Sequence, residues 1–125
     1  MTRKILVIDD EPIFVEAIKE VLMKRNFQVL TAKDGREGFE KVESDRPDLI
    51  ALDVKMPRMN GYEFMRALNA RKVIDKREEI PVIVMSAKEE MREAFRLQGV
   101  KEYLVKPLEF SDLVRKIEDC LKSND

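Results

Sequence analysis

The sequence contains no histidine and a single cysteine among its 125 residues. Without histidine, no serine–histidine or cysteine–histidine nucleophile pair can form within the chain, and zinc ligation by histidine is excluded. Cys120 alone can form neither an internal disulfide nor a multi-thiolate metal site. This sparing use of cysteine is typical of a reducing compartment, and we therefore expect a cytoplasmic location.

Long hydrophobic runs and an excess of charge are also missing. No apolar stretch approaches the roughly 18 residues that a membrane-spanning helix needs. The apolar residues 5–8 are too few for the core of a signal peptide. Lysine plus arginine (24) and aspartate plus glutamate (25) nearly cancel, to a net charge of −1. A nucleic-acid-binding surface needs an excess of basic residues, so we expect neither membrane insertion nor direct nucleic acid binding.

Strand-like runs alternate with helical patterns along the chain, which is typical of βαβ units. We predict strands over 4–8, 28–32, 49–52, 82–85 and 102–105, and helices over about 12–25, 34–44, from 61 onward, 88–98 and 110–122. The first and third strands are almost continuously apolar, as expected for strands covered on both faces. These features favour an α/β fold in one domain over residues 1–125. The expected architecture is a flavodoxin-like, doubly wound sheet of five parallel strands, order 2-1-3-4-5, with five helices.

Helical periodicity also predicts which residues face the core. In the first helix the apolar stripe is Ile13, Ala17, Ile18, Val21 and Leu22. The fourth helix has a thin apolar face of Met91, Ala94 and Phe95, so the core should hold it least firmly. Asp34 and Glu37 have the spacing of a capping box at the start of the second helix.

Polar side chains directly follow four of the predicted strands. Asp9 and Asp10 follow the first strand, Asp53 the third, Ser86 the fourth and Lys106 the fifth. The carboxyl ends of parallel strands share one edge of the sheet, so we expect these side chains to converge in one crevice. Clustered carboxylates repel one another unless a cation lies among them, and Mg²⁺ prefers such oxygen ligands. A lysine beside them indicates an incoming dianion, so the site is suited to placing a phosphoryl group on an aspartate.

Each of these signals also has an ordinary structural explanation. Acidic residues before a helix cap its open N–H groups, a serine at a strand end is a common helix cap, and Lys106-Pro107 could be only a turn. All of these explanations would have to hold together, at matching strand ends of one sheet. That coincidence favours the functional interpretation.

The motifs resemble the receiver domain of two-component response regulators over essentially the whole chain. They are the opening Ile-Leu-Val-Ile-Asp-Asp-Glu at 5–11, the segment from Asp53 to Gly61, Met-Ser-Ala at 85–87, and the segment from Gly99 to Pro107. Each motif alone is weak, but their order and spacing together are specific. The resemblance implies a phosphoacceptor that promotes its own phosphorylation and dephosphorylation, not an enzyme in the usual sense.

The resemblance assigns the metal ligands and the phosphoacceptor residue by residue. Asp53 would receive the phosphoryl group. Mg²⁺ would be bound by Asp53, by Asp10 directly, by Asp9 through water and by the backbone carbonyl of Lys55. The donor would be a sensor histidine kinase or a histidine phosphotransfer protein, and the phosphohistidine must belong to that partner because this chain has none.

The remaining roles concern the phosphoryl oxygens and the output. Ser86 and Lys106 would each bind a phosphoryl oxygen, and a cis peptide would precede Pro107. Ser86 would move toward the phosphoryl group and Tyr103 would turn inward, changing a downstream-partner face formed by the fourth helix, fifth strand and fifth helix. The alternative is that Tyr103 has no switch role and is simply a half-buried strand tyrosine with its hydroxyl in water. Lys55 and Lys88 flank the site and are expected to shield the phosphoryl group from hydrolysis.

Two alternatives from other classes stay open at this point. A haloacid dehalogenase-type phosphatase also uses a strand-end aspartate with Mg²⁺, but such enzymes have Asp-x-Asp, and Lys55 stands at the position of the general acid. The other alternative is a binding module that is not phosphorylated.

Overall fold

Five parallel strands form the centre of the structure, in the order β2-β1-β3-β4-β5. The computed structural model describes residues 2–54, 60–75 and 79–123. The elements are β1 Lys4–Ile8, α1 Pro12–Met23, β2 Gln28–Ala32, α2 Gly35–Asp45, β3 Leu49–Asp53, α3 Gly61–Asp75, β4 Val82–Ser86, a 3₁₀ turn Glu89–Met91, α4 Arg92–Leu97, β5 Glu102–Val105 and α5 Phe110–Ser123. The predicted fold class and strand order are confirmed.

Alternating side chains of the strands supply two cores, one on each face of the sheet. Leu6 and Ile8 of β1 pack in the core beneath α2, α3 and α4. Ile5 and Val7 pack in the opposite core, beneath α1 and α5. All five residues of β3 and of β4 are buried. The central strands are therefore covered on both sides, which explains why they read as unbroken apolar runs.

The strand bounds place two functional candidates inside the sheet. β3 runs to Asp53 and β4 to Ser86, one residue further than predicted in each case. Both side chains are therefore directed by ladder geometry and not by a loop. The sheet is expected to hold them more rigidly than a following turn would.

The fourth helix differs most from its prediction. Only Arg92–Leu97 is α-helical, and Glu89–Met91 forms a 3₁₀ turn. Phe95 is its single buried residue, whereas Ala94, predicted to face inward, is exposed. With so little apolar surface to bury, a long helix has no packing to stabilise it.

Ile13, predicted to face the core, instead lies on the outer face of its helix. The buried residues of α1 are Val15, Ile18 and Leu22, and Ile13 is 89% exposed. At 3.6 residues per turn, a position two residues before Val15 lies on roughly the opposite side of the helix. The apolar spacing alone did not distinguish the two faces.

Two helices begin with side-chain caps. Asp34 Oδ1 accepts a hydrogen bond from the Glu37 N–H at 2.8 Å, as predicted for α2. At α3, Asn60 Oδ1 accepts from the Glu63 N–H at 2.9 Å, and Glu63 Oε1 accepts from the Asn60 N–H at 3.2 Å. This reciprocal pair is a complete capping box, and it fixes where α3 starts beside the end of β3. Within the described ranges, no helix is both long and apolar enough to cross a membrane.

Candidate functional site

Three carboxylates meet where β1 and β3 end. One oxygen from each of Asp9, Asp10 and Asp53 lies within 4.8 Å of the others. The register of the neighbouring strands, with Ile8 opposite Leu52, produces this meeting. Asp9 and Asp53 are buried, with 2% and 5% of their surface exposed, while Asp10 is exposed. Two of the charges are thus removed from solvent and the third can face an incoming ligand.

Lys106 supplies the cation among these acids. Its Nζ lies 3.3 Å from Asp9 Oδ2 and 3.3 Å from Asp53 Oδ1, and it donates a hydrogen bond to each. Lys106 directly follows β5, and the peptide between it and Pro107 is cis, as expected. The ammonium therefore joins the ends of β1, β3 and β5.

The charges of this cluster are strongly coupled. Burial, and then the neighbouring Asp9 charge, raise the pKa of Asp53 to about 6. Burial also raises the pKa of Asp9, against the lowering effects of the Glu11 N–H and Lys106. Burial acts to lower the pKa of Lys106, but the charges of Asp53 and Asp9 outweigh it and raise that pKa. The site thus holds more negative than positive charge, which favours binding of a further cation.

Two of these acids, Asp10 and Asp53, line a cavity of about 540 Å³. Its lining residues are Asp10, Glu11, Asp53, Val54, Asn60, Tyr62, Ser86, Ala87, Lys88, Met91 and Lys106. Ser86 is buried, and its Oγ accepts a hydrogen bond from the Lys88 N–H at 3.0 Å. The hydroxyl proton of Ser86 can therefore be donated toward a ligand in the cavity.

Tyr103 does not line this cavity but is linked to its rim. The side chain is 7% exposed, and its hydroxyl donates a hydrogen bond to the Lys88 carbonyl. Its ring centroid lies 6.1 Å from that of Phe95. The alternative in which the hydroxyl lies in water is therefore wrong. The ring occupies the inward position, and the residue that accepts its hydroxyl also donates to Ser86.

Two residues around Lys106 were not identified from the sequence. Glu11 Oε1 lies 3.5 Å from its Nζ, and the Nζ lies 4.3 Å from the ring centroid of Phe14. A cation at this distance over an aromatic face is attracted by the ring quadrupole. The acidic run 9–11 could have indicated Glu11. Nothing in the sequence pattern distinguishes Phe14 from an ordinary core residue of α1.

Gly61 makes a close backbone approach beside the site. Its N–H donates to the Val54 carbonyl at 2.8 Å. A Cβ on Gly61 would lie 2.8 Å from Val54 Cα and 3.0 Å from the Asp53 carbonyl oxygen. Any side chain here would thus press on the backbone that carries Asp53.

The expected role of Lys55 falls outside the described residues.

The donor set fits a magnesium ion. Carboxylate oxygens of Asp9, Asp10 and Asp53 are close enough to share one cation, and one of them faces solvent. Mg²⁺ prefers hard oxygen ligands and usually keeps several waters, for which an open cavity leaves room. The residues therefore suit Mg²⁺ better than a thiolate- or imidazole-bound metal.

Comparison with known proteins identifies the family. The sequence matches the response regulator receiver domain family over residues 5–118. The chain therefore belongs to the receiver domains of two-component response regulators. Receiver domains of this family are phosphoacceptors that interact with histidine kinases or phosphotransfer proteins and with downstream effectors, and they bind Mg²⁺ at an acidic pocket. The family match does not favour the phosphatase alternative.

Individual relatives agree with this assignment. The chain is 32% identical over 127 residues to the alkaline phosphatase synthesis transcriptional regulatory protein PhoP of Bacillus subtilis, covering 100% of this chain and 51% of PhoP. It thus spans about half the length of that relative. The Francisella response regulator 1452 receiver domain superimposes with a TM-score of 0.90 at 25% identity, covering 99% of this chain and 100% of that one.

A further solved structure carries ligands. The response regulator TrrA of Thermotoga maritima, in complex with Mg²⁺ and beryllofluoride, superimposes with a TM-score of 0.82 at 30% identity. The superposition covers 94% of this chain and 98% of TrrA.

The raised pKa of Asp53 predicts a pH-dependent stability. Its folded value of about 6 exceeds the unfolded value of about 3.9, so the folded chain binds this proton more tightly. The free energy of unfolding should therefore fall as pH rises from about 4 to about 6, and the loss should be complete above that range. Asp53→Asn should raise the free energy of unfolding by about 1–3 kcal/mol near neutral pH, and the gain should shrink toward about pH 4.

Urea denaturation without divalent cations, at about pH 7.5 and pH 4.5, measures this difference. Glu16→Gln, which removes an exposed carboxylate of α1, is the control and should show little change between the two pH values. An Asp53→Asn variant that gains more stability in acid than at neutral pH would contradict the assigned electrostatics.

Proposed function

We propose that this receiver domain, spanning residues 1–125 and acting in the cytoplasm, accepts a phosphoryl group on Asp53. The donor is the phosphohistidine of a sensor histidine kinase or of a histidine phosphotransfer protein. One observation supports the proposal most: the buried Asp53 carboxylate clusters with Asp9 and Asp10, lines a cavity, and lies 3.3 Å from Lys106 Nζ. The chain has no histidine, so the phosphohistidine is supplied by the partner.

The transfer exchanges one bond to phosphorus for another. A carboxylate oxygen of Asp53 attacks phosphorus, the donor's N–P bond breaks, and the imidazole leaves with the electron pair and takes a proton from solvent. The product is an acyl phosphate on Asp53. Near neutral pH the Asp53 carboxylate is mostly ionised despite its raised pKa of about 6, as a nucleophile must be.

Charge stabilisation accounts for most of the catalysis of such a transfer. Lys106 would pair with one phosphoryl oxygen, and the Ser86 hydroxyl would donate to another. Mg²⁺ would be held by Asp10 directly, by Asp9 through water, by Asp53, and by the backbone carbonyl of Lys55. When bound, the metal would offset the negative charge of the carboxylates and the phosphoryl group. The Mg²⁺ and beryllofluoride in TrrA support this assignment.

The output would leave through the face formed by α4, β5 and α5. Lys88 connects the two proposed switch residues, because its N–H donates to Ser86 Oγ and its carbonyl accepts from the Tyr103 hydroxyl. When Ser86 moves toward a phosphoryl oxygen, the Lys88 segment must follow or lose its bond. Either event changes the support of Tyr103, and the bias cannot exceed the differential contact that Ser86 makes with the phosphoryl group.

We predict a single phosphoryl adduct that depends on Asp53 and on Mg²⁺. Incubation with acetyl phosphate and Mg²⁺ should add the mass of one phosphoryl group to the intact protein. The adduct should disappear in Asp53→Asn or with EDTA, because the nucleophile or the charge-stabilising metal is then missing. Asp45→Asn, which alters a carboxylate at the far end of α2, is the matched control and should still be modified. An undiminished adduct in Asp53→Asn would overturn the assignment.

We also predict that Lys88 prolongs the life of the acyl phosphate. Lys88 lines the same cavity as Asp53, and its long side chain would obstruct the approach of hydrolytic water. Lys88→Ala should therefore speed dephosphorylation, by roughly two- to tenfold if the barrier changes by about 0.4–1.4 kcal/mol. Lys88→Met separates the causes, since it keeps the length but not the charge and should retain most of a steric effect. Unchanged or slower loss in Lys88→Ala would reject the shielding role.

Beryllofluoride binding should change NMR signals beyond the residues that touch the ligand. Amide chemical shifts should change at Ser86, Tyr103 and along α4, because the Lys88 segment links the cavity to β5. Ser86→Ala removes the hydroxyl, and the changes at Tyr103 should then be reduced. Shifts confined to the cavity lining would mean that the output leaves by another face.

A further inference from the structure

Arg92, in the first turn of α4, contacts Tyr103 in two ways. Its Nη1 donates to the Tyr103 backbone carbonyl at 3.1 Å. Its guanidinium carbon lies 5.1 Å from the centroid of the Tyr103 ring. β5 is an edge strand, so this carbonyl would otherwise face away from the sheet. One side chain thus covers both the backbone and the ring of the same residue.

Glu89 holds this arginine in place. The Arg92 Nε donates to Glu89 Oε1 at 2.7 Å, and Nη2 donates to Oε2 at 3.0 Å. Such a two-pronged pair fixes the plane of the guanidinium. Glu89 directly follows Lys88, whose carbonyl accepts the Tyr103 hydroxyl. The segment 88–89 therefore reaches Tyr103 by two routes, one through Lys88 and one through Arg92.

We propose that Arg92, oriented by Glu89, is a positioning residue that sets how much of the time Tyr103 spends in its inward conformation. This inference rests on the proposed switch role of Tyr103. The stacking contact exists only while the ring lies inward, whereas the bond to the backbone carbonyl does not require that ring position. Arg92 thus stabilises the inward conformation selectively and follows any displacement of the segment 88–89.

The same stretch of chain offers a matched comparison. Arg96 forms the same kind of two-pronged pair with Glu93, three residues before it, through bonds from Nε and Nη2. Both pairs are exposed and lie within the span 89–96. Only the Arg92 pair has a hydrogen bond or a stacking contact with Tyr103 among the contacts of the described residues. Replacing Arg96 therefore reproduces the loss of charge and of the ion pair without removing a hydrogen bond or stacking contact to Tyr103.

The experiment uses fluorine NMR of protein labelled with 3-fluorotyrosine. The chain has two tyrosines and no tryptophan, so the spectrum has two resonances, which Tyr62→Phe assigns. The solvent isotope shift between H₂O and D₂O reports how exposed the Tyr103 ring is. Amide spectra of each variant check that the rest of the fold is retained.

Arg92→Gln should move the Tyr103 resonance toward its exposed value and increase its isotope shift. Loss of a surface cation–π contact should lower the ratio of inward to outward conformers by roughly two- to fivefold. Arg92→Lys, which keeps the charge but not the planar fork, should be intermediate. Arg96→Gln should leave the resonance at its wild-type position. A Tyr103 signal that is equally unmoved in both glutamine variants would overturn the proposal.

A double-mutant cycle covers the case of a population too one-sided to see by NMR. The unfolding equilibrium constants of Arg92→Gln, Tyr103→Leu and the double variant should show a coupling of about twofold or more. The cycle with Arg96→Gln in place of Arg92→Gln should show none. Equal coupling in the two cycles would also refute the positioning role.

Glu89→Gln tests the second link. It should shift the Tyr103 resonance in the same direction as Arg92→Gln but less, and it should have no further effect in the Arg92→Gln background. An additive effect would mean that Glu89 acts by another route. The comparison of Arg92→Gln with wild type is made without beryllofluoride, which is added only in a separate step. The positioning role and the switch role are therefore tested independently. If the ligand leaves Tyr103 unmoved in wild type while Arg92→Gln moves it, the switch role fails and the positioning role stands.

Discussion

The contact between one ammonium and two buried carboxylates is the interaction on which the site depends. Lys106 meets Asp9 and Asp53 only because three parallel strands end at the same edge of the sheet. Burying two acids together is unfavourable, and a single lysine offsets the cost only in part, as the raised pKa of Asp53 shows. The buried acid cluster therefore lowers the stability of the folded state. A proton, a metal ion or a new charge distribution at Asp53 can each relieve it, which makes the site responsive to ligands.

In contrast to the central strands, α4 is held to the rest of the domain by few buried contacts. Of the six helical residues of α4, only Phe95 is buried. Side-chain contacts to neighbouring elements provide the remaining support. Asn69 of α3 donates to the Gln98 carbonyl at 2.9 Å at the end of the helix, and Arg92 contacts β5 at its start. Elements with few apolar contacts open at lower free-energy cost than the core. α4 can therefore shift at a lower free-energy cost than the sheet.

Much of the fold followed from the sequence because strand and helix periods are strong, repeated signals. The strand order, the start of α3 and the Asp34 cap all rest on patterns of several residues. The convergence of the acids with Lys106 follows from the same patterns, because strand ends in a parallel sheet share an edge.

The sequence did not reveal how individual side chains turn. Ile13 fits an apolar helical period yet is 89% exposed, because the period does not say which face is covered. The contact of Phe14 with Lys106 and that of Arg92 with Tyr103 join residues distant in sequence through side-chain orientation alone. The 3₁₀ start of α4 depends on how little surface that helix buries, which no local propensity records.

The close approach of Gly61 to Val54 has a consequence for how this chain can vary. Where a new Cβ would meet only the end of a flexible side chain, that side chain can move aside. Here the nearest atoms are backbone, 2.8 and 3.0 Å from where a Cβ would stand, and that backbone carries Asp53. A residue other than glycine at position 61 would therefore displace the backbone of Asp53 and Val54, and so disturb the site together with the fold. The position of the Asp53 carboxylate, as well as the packing of α3, thus depends on glycine at position 61.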